Sequence, residues 1–240
     1  MFARWISNIF KSTTPFELNA SHGRSKKGLG KFAVYSRAAC KQCNNGWMSV
    51  VEQRAKPLLE RAFFGEALTW NADEQQVVST WVLKTAPMLD RSNHASHHAP
   101  LRHFSRLYET KAPPELTQVE VGFYTPTEGE EVRGVWAGTM RGAQSHRDSY
   151  RVCFSVGRIV FLVHGYENAT GEPLHVNTMA VSESQVLVPL WETFELVWPR
   201  STTAFRFPPP QGFTLNNGAL EALTDTPLMQ AAIAGDPSYL

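Results

Sequence analysis

The chain has 240 residues, 42% of them apolar and 19% charged, with a formal net charge of +1, which excludes a disordered tail and leaves apolar surface enough for a sizeable core. No run approaches the roughly 18 apolar residues of a membrane span, and MFARWISNIFKSTTPF has no apolar centre or small-residue cleavage site of a secretion signal. Three cysteines, Cys40, Cys43 and Cys153, are odd in number and too few for a disulfide framework, so a reducing, cytoplasmic setting is expected.

Met1 to Phe10 carries Phe2, Trp5, Ile6, Ile9 and Phe10 on one helical stripe. SHGRSKKGLGKFAVYSRAAC reads as a glycine-punctuated basic loop running into a short strand, Phe32 to Tyr35. After the pair in CKQCNNGWM, residues Trp47, Val50, Val51, Ala55, Leu58, Leu59 and Ala62 recur at helical spacing. Gly65 is the expected stop, and Pro57 is expected to bend or interrupt the helix. Asp73 is the expected cap of a second helix, with Val77, Val78, Trp81 and Leu89 inward and Pro87 inside it. A third helix, PLRHFSRLYETK, aligns Leu101, Phe104, Leu107 and Tyr108.

From Thr117 the pattern changes to strands: TQVEVGFY, EVRGVWAGTM, YRVCFSV, RIVFLVHGY, QVLVPLW and ELVWP. Gly157 marks a bend or bulge, PPPQGF ends the sheet, and NNGALEALTDTPLMQAAIA suits a short C-terminal helix. The fold class expected is α+β: residues 1–65 a small basic module, 66–112 a helical connector and 113–240 an antiparallel β-rich domain.

Charge is distributed unevenly. Residues 1 to 61 hold eleven Lys and Arg against Glu17, Glu52 and Glu60, a balance of +8, while the rest holds twelve against nineteen. A positive field of that kind suits a phosphate backbone, whose neutralisation releases counterions, although a charge run alone also suits a solvated surface.

Cysteines three apart in a reducing compartment are more often a metal clamp than a disulfide, because two thiolates on a tight turn can face one cation. Two sulfurs supply only half of a tetrahedral site. A redox pair would require a central βαβ setting, which the pattern around Cys40 and Cys43 lacks. His22, in ASHGRSKK, is a candidate third ligand or base, against the plainer reading of a solvated loop histidine. His94, His97, His98 and His103 have no zinc spacing and suit a surface loop ahead of the third helix. Cys153, in an alternating strand, suits a buried inert thiol, and Trp136, Trp191 and Trp198 suit sheet-face packing.

CKQCNNGWMSVVEQRAKPLL resembles the C-terminal half of an HNH-type (ββα-metal) endonuclease module, in which a CxxCNNxW segment opens a helix followed by a Leu/Val-Glu pair, here Val51 and Glu52. FARWI resembles the family's segment just after its essential histidine, and STWVLKTAPMLD and the VWP and PPP segments resemble the accompanying C-terminal region more weakly. The resemblance implies a ββα zinc module with Cys40 and Cys43 as structural zinc ligands. It also implies Asn44 as a catalytic polar residue, a divalent cation such as Mg²⁺, and DNA as substrate. Arg24, Lys26, Lys27, Lys31, Arg37 and Lys41 would be phosphate contacts.

By the same alignment the family's histidine base and first cysteine pair fall before Met1, so hydrolysis is expected to be impaired by roughly two to four orders of magnitude for want of the base. A start codon placed too far downstream accounts for this; translation upstream should then reveal a Glu-His and a CxxC. A reading from another class is a non-catalytic binding protein, whose sheet recognises a protein or small ligand while the basic segment adds nucleic-acid affinity.

Overall fold

The structure is a computed structural model describing residues 4–10, 15–19, 25–29, 39–92, 101–115, 117–126, 128, 135–141, 149–166, 179–181, 187–189, 194–199, 203–209 and 215. It is an α+β fold built on a seven-stranded sheet. Strands β1 (Pro15–Asn19), β2 (Ser25–Leu29), β4 (Thr117–Phe123), β5 (Val135–Arg141), β6 (Ser149–Val156), β7 (Ile159–Tyr166) and β10 (Phe194–Trp198) form it in the order β10-β4-β7-β6-β5-β1-β2. Every pair is antiparallel except β1 with β5, which run parallel. Short ladders join β3 (Leu68–Trp70) to β11 (Phe205–Phe207) and β8 (Met179–Val181) to β9 (Leu187–Pro189).

Strand alternation sorts the sheet into two faces. Val119 and Val121, Val152, Phe154 and Val156, and Ile159, Phe161 and Val163 enter the main core. The opposite face carries Gln118 and Glu120, Arg151, Cys153 and Ser155, and Leu162 and His164, of which Gln118 and Glu120 are half-buried and the rest buried.

Helices α1 (Arg4–Ile9), α2 (Lys41–Asn45), α3 (Trp47–Phe63), α4 (Ala72–Ser92) and α5 (Leu101–Thr110) complete the described elements. Helix α4 packs on α3, α5 and the sheet, and its buried stretch from Val78 to Leu89 is the central spine. One core cluster unites Ile6 of α1, Ala55 and Leu59 of α3, Trp81 of α4, Leu107 of α5 and Phe161 of β7.

The helices lie where apolar spacing puts them, with Gly65 in the left-handed region (φ 77°) just past α3. Three local expectations change. Pro57 does not interrupt α3, which runs through it. Helix α4 is capped by Asn71, not Asp73: Asn71 Oδ1 accepts the Asp73 and Glu74 N–H groups at 3.0 Å each, and Glu74 Oε2 accepts the Asn71 N–H at 2.8 Å, a reciprocal capping box. Ser25–Leu29, read as loop, is the strand β2, paired with β1 through Lys27 opposite Glu17 and Lys26 opposite Leu18. The strand expected at residues 32–35 and the helix after residue 215 lie outside the described residues.

Candidate functional site

Gly46 separates the cysteine turn from α3. A Cβ there would stand 2.8 Å from the Gln42 carbonyl oxygen, which already accepts the Gly46 N–H at 2.9 Å, so the close junction between α2 and α3 requires glycine. Cys40 is the N-cap of α2, with extended backbone, and its Sγ accepts the Cys43 N–H at 3.1 Å. It occupies the position usually held by Ser or Asp.

The two thiols are shifted in opposite directions. The hydrogen bond from the Cys43 thiol, followed by that from its backbone N–H, lowers the Cys40 pKa. The same thiol contact, with burial and the Cys40 charge, raises the Cys43 pKa, while the Trp47 indole and the Lys111 ammonium oppose the rise. Cys40 therefore ionises first, with Cys43 as donor. Asn44 and Asn45 follow, both exposed, Asn44 Nδ2 donating to Asn45 Oδ1 at 3.3 Å.

A buried polar node links this turn's helix to the rest of the chain. Glu52, one helical turn past Met48 on α3, accepts the Trp5 Nε1–H at 2.8 Å and the Trp81 Nε1–H at 2.9 Å through Oε2, and pairs with Lys84 Nζ through Oε1. Trp5 also stacks on Phe63, with ring centroids 5.5 Å apart. Burial pushes the Lys84 ammonium down to about 7, against the neighbouring carboxylate, which favours its charged form.

Between α3 and α4 lies a cleft of about 480 Å³. Trp47, Val50 and Arg54 line it from α3, Gln76, Val77 and Thr80 from α4, and Lys111 also lines it. Lys111 Nζ lies 5.0 Å from the Trp47 ring centroid and 3.8 Å from that of Tyr108, on a backbone held at φ 56°.

On the far sheet face, Glu120 Oε1 accepts from Gln118 Nε2 at 2.8 Å, its Oε2 lies 3.9 Å from His164 Nε2, and Arg151 Nε donates to His164 Nδ1 at 3.4 Å. Burial raises the Glu120 carboxyl to about 7 against the opposing pull of Arg151 and Gln118.

Of the residues singled out in the sequence, Cys40, Cys43, Asn44 and Lys41 come together on one exposed to half-exposed turn. Lys26 and Lys27 lie in β2. His22, Arg24, Lys31 and Arg37 lie outside the described residues, as do His94, His97, His98 and Trp191. His103 is not a surface-loop residue: it is buried in α5, with Nδ1 3.1 Å from the Tyr150 hydroxyl. Cys153 is a buried free thiol whose burial raises its pKa far out of reach, as its alternating strand implies. Trp198 is half-buried against the core.

Cys40 and Cys43 suit half of a thiolate zinc site, but among the described residues no group of three or more His, Cys, Asp or Glu converges to complete one. Sequence reasoning missed Lys84, Arg54 and Lys111. A lysine three residues after Trp81 on the inward stripe was the legible signal for the first; Arg54 and Lys111 carry no such mark. Comparison with family models, curated proteins and solved structures finds no match to this chain.

Proposed function

We propose that the chain is a nucleic-acid-binding protein of the HNH nuclease type. The observation that carries this reading is the hydrogen bond from Trp5 to Glu52. Trp5 belongs to FARWI and Glu52 to the pair after CxxCNNxW, the two segments on which the family resemblance rests. They lie 47 residues apart in sequence and meet at 2.8 Å, so the two segments that carry the resemblance pack against each other. The cysteine turn, in which Cys40 Sγ accepts the Cys43 N–H and Asn44 follows directly, supports the same reading.

In this reading Cys40 and Cys43 supply two ligands of a structural zinc, completed by groups outside the described residues. Hairpin β1–β2 and helix α3 are the remnants of a ββα unit. Arg24, Lys26, Lys27, Lys31, Arg37 and Lys41 neutralise DNA phosphates, and Asn44 orients a phosphate oxygen beside the turn. A divalent cation such as Mg²⁺, when bound, supplies charge neutralisation at the phosphoryl group. The segments that carry the resemblance contain no histidine, so in this reading they serve DNA binding, and cleavage calls for a general base from elsewhere. Three free thiols suit the reducing cytoplasm, and among the described residues no helix is long and apolar enough to cross a membrane.

The test combines binding, metal content and cleavage. Fluorescence anisotropy with a labelled duplex should give salt-dependent binding, and elemental analysis should give zinc that the Cys40→Ser/Cys43→Ser variant loses. Plasmid nicking with Mg²⁺ or Mn²⁺ should be absent or feeble and unchanged by His22→Ala. A chain with no affinity for DNA at low salt and no zinc ends this reading; His22-dependent nicking assigns that residue as the base.

A further inference from the structure

The cleft between α3 and α4 has more to it than a gap in packing. Trp47, Val50 and Arg54 stand at helical spacing on one wall, and Gln76, Val77 and Thr80 on the other. At about 480 Å³ it falls within the ~300–1,000 Å³ typical of small-molecule sites. Val50, an apolar side chain, is 55% exposed at its edge. The Arg54 guanidinium makes no hydrogen bond or ion pair among the described residues, although it carries a full charge. Lys111 is held in place over the Trp47 and Tyr108 rings.

We propose that this cleft binds one nucleoside monophosphate unit, with its phosphate between Arg54 and Lys111 and its base against Val50, Val77 and the Trp47 edge. The chemistry of the lining supports the division. Two cations among the lining residues match a phosphate, which Arg can grip bidentately. The apolar side chains match the flat faces of a base. Trp47, four residues past Cys43, lines the cleft, so an occupant would lie close to the cysteine turn. The choice of a nucleotide over another planar anion rests on the nucleic-acid reading above. The unit has two sources, a free mononucleotide or an unpaired nucleotide of a bound strand.

The indole N–H resonance of Trp47, assigned by its loss in Trp47→Phe, reads occupancy directly. Deoxynucleoside 5′-monophosphates should shift it, while inorganic phosphate and deoxynucleosides alone should need at least about tenfold higher concentration. Arg54→Glu, an exposed change checked for an intact fold by its unaltered remaining spectrum, should weaken the response about tenfold or more. A short single-stranded oligonucleotide that shifts Trp47 at lower concentration than the mononucleotide identifies the strand as source; the reverse identifies the free nucleotide. Duplex binding with a Trp47 resonance that neither nucleotide nor oligonucleotide moves overturns the cleft assignment and leaves the nuclease-type reading standing. A nucleotide response without duplex binding does the opposite, and a response equal in Arg54→Glu overturns the phosphate position.

Discussion

Glu52 is the residue on which three helices converge, because its carboxylate is the shared acceptor for Trp5 of α1, Trp81 of α4 and Lys84 of α4. Its replacement by Leu would leave a fully buried ammonium without its counter-charge and two indole N–H groups without an acceptor. Such a break is expected to destabilise by about 3–5 kcal/mol, read as a lower urea midpoint. Glu52→Leu with Lys84→Met removes both charges and should recover a large part of that loss; a double variant as unstable as the single one would show that the ion pair is not the source. Glu120 makes a second residue-level prediction, through pH. Its carboxyl titrates at about 7 in the fold, against an ordinary value of 4.5. Between those values the folded chain holds a proton that the unfolded chain has released, so this group's contribution falls as pH rises and is lowest above 7. Glu120→Gln should therefore gain stability relative to the parent from pH 5 to 8, by on the order of 2–3 kcal/mol at the top. His164 stands 3.9 Å from Glu120, so the difference between the two urea curves reports the Glu120 titration together with its coupling to that imidazole; a constant difference across that range would contradict it.

At the scale of elements, turns carry as much information as helices. Val156 pairs with Ile159, so Gly157 and Arg158 form a two-residue connection between β6 and β7, with Gly157 at φ 59°. A Cβ on Gly157 would lie 2.2 Å from the Phe63 carbonyl oxygen, the same atom that accepts the Arg158 N–H at 2.9 Å. Gly157→Ala should cost on the order of 2–4 kcal/mol in urea unfolding, whereas a loss below ~0.5 kcal/mol would mean that the turn yields freely. This turn was legible in the sequence because glycine interrupts two β-rich runs, and α3, α4 and α5 were legible through their apolar spacing. Hairpin β1–β2 was not: PFELN and SKKGL have no sustained alternation, and β1 gains its place by pairing with β5, more than a hundred residues away. Three-residue strands such as β3 and β11 are too short to show a period. Pro57 does not interrupt α3 because the rule for interruption supposes a helix interior with no substitute for the lost hydrogen bond. The carbonyl it leaves unmatched belongs to Gln53, on an exposed part of α3 where water can replace it. In the candidate site the cysteine turn was legible from spacing alone, while the Arg54–Lys111 cleft arises from helices separated in sequence and leaves no local mark.

Over the whole molecule, the positive balance of residues 1 to 61 offsets an acidic remainder, and β2 stands at the edge of the described sheet with Lys26 and Lys27 in it. Lysines on an edge strand serve either of two physical ends. They discourage another chain from pairing with the open backbone, or they neutralise phosphates. The two ends separate under salt. If Lys26 and Lys27 contact DNA, Lys26→Ala/Lys27→Ala weakens binding evenly across sequences and reduces the slope of log K against log salt by about 1–2, since each phosphate contact contributes about 0.9. If edge protection is their role, the slope stays that of the parent and the variant instead self-associates, visible as concentration-dependent light scattering. An unchanged slope with rising scatter would therefore remove β2 from the proposed DNA surface and leave the phosphate contacts to Lys41 and the remaining basic residues of the first 61.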